Sequence, residues 1–151
     1  MSNVLIKRIK QGALFPKKMS AGSVAYDVFL PEDVCVKPGR NKIPLGISLE
    51  MPFGIEAKIE PRSGFSVKGL LDCNGERFDA DVLVGKIDYD YRGEISVIIK
   101  SNEKYQRKVT AGTRIAQMTF YKVEDVRFKE TDELTNTKRG NGGFGSTGTG
   151  A

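Results

Sequence analysis

Histidine is absent from the 151-residue sequence. This absence excludes His-based nucleophilic triads and His-ligated metal sites. Acid–base chemistry near neutral pH therefore falls to carboxylate, tyrosine, lysine or cysteine side chains. Any metal would be held by oxygen ligands, which favours Mg²⁺ or Ca²⁺ over Zn²⁺.

The sequence also has few cysteines and no long apolar run. Its two cysteines, Cys35 and Cys73, match neither metal-ligand nor redox spacing, so we expect buried free thiols and a reducing compartment. No segment is apolar over the ~20 residues that cross a bilayer, and residues 1–8 lack the order of a signal peptide. We expect a cytoplasmic protein without membrane association, or a nuclear one if the source is eukaryotic, and viral or phage origin is compatible with this.

The net charge of +5 comes from scattered lysines and arginines rather than from blocks. Scattered charge is typical of a solvated surface. It is also compatible with binding of a polyanion, of which a nucleotide is a small example.

No segment shows convincing helical periodicity, apart from room for one short turn after Pro61. Many short strand-like runs separated by glycine and proline predict an all-β sandwich, barrel or jelly roll, and Asn74-Gly75 predicts a tight hairpin. The composition changes after Leu134. We expect a β core over residues 1–134 and a glycine-rich arm over residues 135–151, which is mobile until something orders it.

Residues 85–94, GKIDYDYRGE, carry the densest chemistry. Strand-like residues lie before and after Arg92-Gly93, which predicts a hairpin. The bend holds two carboxylates, two tyrosines and an arginine, more than a reversal of direction requires. Asp88 is the candidate general base.

Three further segments offer groups for anions or metals. PRSG at residues 61–64 has Arg62 and Ser63 after a strand, which suits phosphate oxygens or an ordinary polar turn. Gln117 could bond a phosphate or a water, or lie on the surface. Asp27, in an apolar strand, needs either a basic partner or a hydrated Mg²⁺.

The arm contains Gly140-x-Gly142-x-x-Gly145, but it lacks the following helix of a dinucleotide site. It is either a disordered linker or a flap. Its Arg139, Phe144, Ser146 and Thr147 are groups with which a flap could close over a nucleotide.

Taken in order, these segments resemble the five motifs of the trimeric dUTPase family. The motifs correspond to residues 25–28, 61–64, 85–94, 114–118 and 139–148, so the resemblance spans nearly the whole chain. It implies a distorted jelly-roll subunit, a homotrimer whose active sites are shared between subunits, and hydrolysis of dUTP to dUMP and pyrophosphate with Mg²⁺. It also implies a role in limiting uracil in DNA and in supplying dUMP for dTMP synthesis.

The resemblance assigns roles to individual residues. Asp88 would activate the water that attacks the α-phosphorus, Tyr91 would pack on the deoxyribose, and Asp27 would hold Mg²⁺ through waters. Phe144 would stack over the uracil and Arg139 would reach the γ-phosphate. The remaining substrate-binding residues implied are Arg62, Ser63, Gly64, Gly85, Ile87, Gln117, Gly145, Ser146 and Thr147.

The sequence departs from the family pattern at two places in particular. Tyr89 stands where the third motif often has a small residue, and it either alters the hairpin or points to solvent. The connection over residues 69–84 is longer than usual, and a protein partner could dock there.

Three other functions remain open. They are a dCTP deaminase-related enzyme, a dUTP-sensing regulatory protein and a single-stranded nucleic-acid binder. The last is disfavoured because the aromatic residues cluster in motifs instead of along a basic groove.

Overall fold

The computed structural model describes residues 1–148 and 150, in which thirteen strands and one short helix are formed. The strands are β1 (Leu5–Arg8), β2 (Tyr26–Phe29), β3 (Val34–Val36), β4 (Gly39–Pro44), β5 (Ile47–Glu50), β6 (Ile55–Glu60), β7 (Leu70–Leu71), β8 (Arg77–Phe78), β9 (Ala80–Leu83), β10 (Gly85–Ile87), β11 (Ser96–Ser101), β12 (Arg107–Val109) and β13 (Arg114–Lys122). The helix α1 spans Ser63–Lys68. The prediction of an all-β protein with one short turn after Pro61 is confirmed.

The two larger sheets have the strand orders β10-β6-β13-β2 and β4-β11-β9. Strands β1 and β5, β3 and β12, and β7 and β8 form two-stranded pairs. All the registered pairs are antiparallel, and the core lies between the sheets where alternate residues point inward. In β11, for example, Val97, Ile99 and Ser101 are buried while Lys100 is exposed.

The predicted hairpin over residues 85–99 is wrong in its pairing. Strand β10 pairs with β6, whereas β11 pairs with β4 and β9 in another sheet. The chain also changes sheet at Val84, between β9 and β10. The bend of residues 88–94 is therefore a crossing between two sheets, and no ladder joins the strands on either side of it.

The Asn74-Gly75 hairpin is confirmed as the turn between β7 and β8. Gly75 adopts a φ of 79°, which glycine tolerates without steric cost. The buried Asp72 carboxylate accepts hydrogen bonds from the N–H groups of Asn74 and Glu76, both at 2.9 Å, and from Arg107 at 3.1 Å. These bonds fix the shape of the hairpin.

The pKa of Asp72 gives a test of this arrangement. The hydrogen bond from Glu76 N–H lowers it most, the bonds from Asn74 and Arg107 add to the lowering, and burial opposes them. A lowered folded-state pKa stabilises the protein above the unfolded pKa of about 4, and this stabilisation is lost as the pH falls through the folded value. We expect Asp72→Asn to lower the urea midpoint at neutral pH, with the deficit shrinking below about pH 4.

The measurement is urea unfolding of wild type and Asp72→Asn across this pH range. Asp79→Asn is the control, because the Asp79 side chain makes no hydrogen bond within the described residues. A deficit that stays constant with pH would contradict the account.

The expectation of buried thiols is wrong. Both Cys35 and Cys73 are free and exposed. In β3 the side chains alternate, so Val36 is buried and Val34 half-buried while Cys35 faces outward. Cys73 lies in the β7–β8 turn, where little packs over it.

The chain leaves the sheets after β13. Residues 121–141 are all exposed, and even the apolar Phe128 and Leu134 are 95% and 85% exposed. The boundary at residue 134 stays a prediction. Across residues 1–148 and 150, no helix has the length and apolar character needed to cross a membrane.

Candidate active site

A polar cleft of about 420 Å³ is lined by residues of strands β2, β6 and β13 of the four-stranded sheet. It collects residues from the first, second and fourth motif segments. Its lining residues are Met19, Ser23, Val24, Ala25, Asp27, Glu60, Arg62, Ser63, Arg114, Gln117, Thr119 and Tyr121. Gly64 lies in the first turn of α1 beside this cleft and is exposed.

Asp27 is the centre of the charges in this polar cleft. It is 8% exposed and accepts hydrogen bonds from Arg62 Nε at 3.1 Å and from Arg114 Nη1 at 3.3 Å. Of the two partners predicted for Asp27, the structure shows the basic one. Each guanidinium has five N–H donors in a fixed fork, and the carboxylate occupies one from each. Arg62 Nη1 also lies 3.5 Å from the Arg114 carbonyl, to which it donates. Asp27 thus orients two arginines that keep further N–H donors for an anion.

Gln117 reaches the polar cleft through a β-bulge. The pairing of β13 with β2 shifts between Arg114 and Ala116, after which Gln117 lies opposite Asp27. Gln117 also lies opposite Glu60 on β6. Because paired residues of neighbouring strands share a face, Asp27, Gln117 and Glu60 form one row across three strands.

Glu60 was missed by the sequence analysis. Its carboxylate accepts hydrogen bonds from Thr119 Oγ1 at 3.1 Å and from Tyr121 OH at 3.3 Å. The only signal was its position directly before the PRSG segment. Its place opposite Gln117 depends on strand register, which the sequence does not show.

The oxygen atoms of the polar cleft can be compared with the ligands that Mg²⁺ requires. No cluster of three His, Cys, Asp or Glu side chains within the described residues could hold a metal. Both Asp27 oxygens already bind arginine, but each keeps a second lone pair. Mg²⁺ usually keeps several waters and binds one or two carboxylates together with substrate phosphates. Asp27 therefore suits contact with Mg²⁺ through a water molecule. The described residues do not supply a complete set of protein ligands for the ion.

The bend of residues 88–94 faces a second cleft of about 230 Å³, the bend cleft, which is more apolar. Its lining residues are Lys42, Ile59, Gly85, Lys86, Ile87, Asp88, Tyr91, Glu94, Ile95, Ser96 and Ile98. Strand β10 forms the edge of its sheet, with β6 on one side and no strand on the other within the described residues. Its outer backbone groups are thus available to a ligand. Ile87 is buried and Asp88, which follows it, is exposed.

The interior of the bend is fixed by hydrogen bonds. Tyr91 N–H donates to the Asp88 carbonyl at 3.1 Å, and Tyr91 OH donates to the Glu94 carbonyl at 3.2 Å. The Tyr91 ring lies so close to Gly93 that a Cβ there would be 2.3 Å from the hydroxyl. Only glycine at this position permits the ring to lie across the bend.

The hydrogen bonds of the described arm residues run within the arm. Arg139 Nε donates to the Gly142 carbonyl at 2.8 Å, and Ser146 N–H donates to the Gly143 carbonyl at 3.0 Å. Phe144 has a φ of 51° and its ring is fully exposed, as are Gly145, Ser146 and Thr147. Within the described part of the chain, the arm meets neither cleft.

The single chain therefore brings Asp27, Arg62, Ser63 and Gln117 together, and it brings Gly85, Ile87, Asp88 and Tyr91 together elsewhere. The polar cleft and the bend cleft share no lining residue. Arg139, Phe144, Gly145, Ser146 and Thr147 form a third group. Within the described residues, the predicted site residues therefore fall into three separate groups.

Known proteins match this chain along nearly its whole length. The sequence model of the dUTPase family matches residues 12–148. The deoxyuridine 5'-triphosphate nucleotidohydrolase of Hydrogenobaculum sp. (strain Y04AAS1) is 40% identical over 148 residues, with 96% of this chain and 97% of that protein covered. The protein of the same name from Paramecium bursaria Chlorella virus 1 is 38% identical over 149 residues, with 98% and 99% covered.

Solved structures share the fold. The dUTPase of Staphylococcus bacteriophage 80alpha with dUPNHPP has a TM-score of 0.85 at 24% identity, with 99% of this chain and 100% of that chain covered. Phage dUTPases of this kind control the transfer of virulence genes. A mutant dUTPase of phage phi11 of S. aureus, described for its coordination of a structural Mg(II) ion, has a TM-score of 0.75 at 19% identity, with 87% and 98% covered. These likenesses agree with the jelly-roll-like prediction.

Proposed function

The chain belongs to the dUTPase family, and we propose that it hydrolyses dUTP to dUMP and pyrophosphate. One observation carries the proposal. The edge strand β10 leads directly into a bend that places an exposed carboxylate, Asp88, beside the Tyr91 ring and an apolar cleft. This arrangement combines a backbone edge for a base, a ring for a sugar and a candidate general base.

The free edge of β10 supports selectivity for uracil. Backbone N–H and C=O groups of residues 85–87 would pair with the base edge, and cytosine's amino group would be left unpaired. An unpaired buried polar group can reject a substrate by about 10⁴-fold. A base held against the bend would have no room for a 5-methyl group, and Tyr91 against the sugar face would clash with a ribose 2'-OH.

The polar cleft would hold the triphosphate. Arg62 and Ser63 would bind phosphate oxygens with the donors that Asp27 leaves free, and Gln117 would bond a phosphate or the attacking water. Asp88 would accept a hydrogen bond from the 3'-OH and orient or deprotonate that water. A carboxylate is a weak base, so its effect depends on the position of the water. The water oxygen forms a bond to the α-phosphorus, and the bond to the bridging oxygen of pyrophosphate breaks.

Mg²⁺ is the cofactor we propose. When bound to the phosphates it would neutralise charge that develops on them. Asp27 would hold it through waters, as its remaining lone pairs permit. The arginine pair keeps the Asp27 carboxylate in place for this contact.

The separation of these three groups of residues supports a homotrimer with shared active sites. A site complete only between subunits explains why one chain has two separate clefts and an arm whose described residues line neither of them. In closed cyclic symmetry, the same contact repeats at every interface. The arm of another subunit would cover the nucleotide, with Phe144 over uracil and Arg139 at the γ-phosphate.

In the cell this activity would limit uracil in DNA and supply dUMP for dTMP synthesis. A reducing compartment such as the cytoplasm suits two exposed free cysteines.

A second role favoured by a specific feature is docking of a protein partner on the hairpin within residues 69–84. The tip of that hairpin is exposed and is held rigid by Asp72. Capture of a partner with and without dUTP distinguishes this regulatory role from hydrolysis alone.

Pyrophosphate release from dUTP, dTTP, dCTP and UTP, with and without Mg²⁺, tests the function. We expect turnover of dUTP that Mg²⁺ accelerates, with kcat/KM at least about 10²-fold lower for the other three nucleotides. Comparable values for all four would contradict the proposed selectivity. Ammonia release from dCTP would indicate a deaminase instead.

A further inference from the structure

The backbone of the bend of residues 88–94 is anchored in strands and core only at its two ends. Ile87 is 7% exposed and Ile95 is 1% exposed, but residues 88–92 between them are all exposed. The strands on either side belong to different sheets, so no ladder bond crosses the bend. Its internal hydrogen bonds fix its shape but not its orientation against the body.

Two contacts hold the bend from outside, one at the end of β5 and one in the turn of residues 51–54 that follows it. The Tyr89 ring meets the Phe53 ring edge-on, with centroids 5.2 Å apart and planes at 82°. On the same side, Arg92 Nη2 lies 3.8 Å from Glu50 Oε1. Arg92 also donates to the Tyr89 carbonyl at 2.7 Å, which links the two contacts.

The turn of residues 51–54, which carries Phe53, is itself held in place by the core and by a backbone hydrogen bond. Met51 at its start is buried, and Ile55 N–H donates to the Pro52 carbonyl at 3.2 Å. Gly54, with a φ of 81°, allows the chain to reverse into β6. The turn leads into β6, and β6 pairs with β10, which leads into the bend. Strand β6 therefore supports both the turn and the bend.

Neither ring of the pair contributes to the core. Phe53 is 75% exposed and Tyr89 is 40% exposed, so their contact adds little to global stability. An edge-to-face aromatic pair changes an equilibrium by about two- to tenfold beyond its area burial. The Arg92–Glu50 pair is exposed on both sides and contributes less.

We propose that Phe53 and Tyr89 are positioning residues, whose edge-on contact holds the bend so that Asp88 and Tyr91 meet the deoxyuridine part of the substrate. This rests on the proposed hydrolysis of dUTP. The sequence left open whether Tyr89 alters the hairpin or points to solvent. In the structure it is 40% exposed and its ring lies against Phe53. It reaches Phe53, which no motif segment contains.

The strength of the Phe53–Tyr89 contact limits how much activity its loss can remove. If the contact raises the fraction of molecules with a correctly placed bend, its loss lowers that fraction by no more than its own two- to tenfold contribution. Phe53→Ala is therefore expected to lower kcat/KM for dUTP by about two- to tenfold. The thermal midpoint should stay within about 1 °C, because the ring is exposed.

The test compares Phe53→Ala, Tyr89→Ala, the double variant and Phe53→Tyr in the full chain. We expect each alanine variant and the double variant to lose the same activity, and Phe53→Tyr to restore it because an edge-on ring remains. Tyr105→Ala is the matched control, since Tyr105 is 80% exposed and pairs with no ring within the described residues. Additive losses, or a Phe53→Ala variant as active as wild type, would overturn the proposal.

Amide hydrogen exchange across residues 88–94 gives a readout that does not need turnover. A bend that has lost its outside contact should open locally more often, which breaks the hydrogen bond from Tyr91 N–H to the Asp88 carbonyl. We therefore expect faster exchange of the Tyr91 amide in Phe53→Ala and unchanged exchange in Tyr105→Ala. Unchanged exchange in Phe53→Ala would overturn the proposal whatever the kinetics show. Faster exchange in a chain whose wild type does not hydrolyse dUTP would support the positioning of the bend and refute the proposed function alone.

Discussion

Asp88→Asn is expected to lower kcat for dUTP by about 10³-fold while the Kd for dUTP changes by less than about threefold. Asparagine keeps the size of the side chain and can still hydrogen-bond the sugar, but it cannot take a proton from water. The backbone that would bind uracil lies before residue 88 and is held by β6. Loss of turnover with binding retained is the signature of an interaction used only in the transition state.

The same bend supplies a matched control for this substitution. Asp90 is an exposed carboxylate two residues further on, and it does not line the bend cleft. Asp90→Asn removes the same charge from the same segment and should leave kcat within about twofold. The measurements are steady-state kinetics and calorimetric titration with a non-hydrolysable dUTP analogue. If Asp90→Asn were inactive and Asp88→Asn active, the assignment of the base would be wrong.

Features of this fold that depend on local chemistry could be predicted from the sequence. Asn74-Gly75 specifies a tight turn because only residues that tolerate a positive φ fit there. The short helix after Pro61 and the many strands follow from punctuation by glycine and proline. The polar residues of the first, second and fourth segments line one cleft, and their roles toward a substrate stay predictions.

Features that depend on which strands pair could not be predicted in the same way. Alternation tells which face of a strand is buried, but not which strand lies beside it. For this reason the bend was expected to be a hairpin, although its two flanking strands enter different sheets. Glu60 was missed for the same reason, because it meets Gln117 only through the register of β6 and β13.

The error about the thiols has a different origin. Cysteine is among the residue types most often buried, and this general preference favours buried thiols at both positions. The local pattern Val34-Cys35-Val36 indicated the opposite, because alternate residues of a strand face opposite sides. Here the position within the strand outweighed the preference of the residue type.

Deletion of residues 139–151 is expected to lower kcat/KM for dUTP by at least about 10²-fold and to leave the thermal midpoint unchanged. In the described part of the arm, the hydrogen bonds made by residues 139–148 run within the arm or to Thr137, and no core side chain is removed. What is lost is Arg139 and the aromatic cover of Phe144. Deletion of residues 146–151, which keeps both of these, is the control and should retain more activity. A truncated chain that unfolds would contradict the assignment of the arm as a separate, non-core segment.

Mixing the two inactive chains tests whether sites are shared. In an equal mixture of Asp88→Asn chains and arm-deleted chains, a site with its bend from one subunit and its arm from another has both intact in about a quarter of cases. Activity should therefore reach about a quarter of the wild-type value at equal amounts and fall off on either side. If bend and arm came from the same chain, every site would lack one of them at any ratio. Activity that stays at the level of the separate variants, with exchange shown by co-purification of differently tagged chains, would place each site within one subunit.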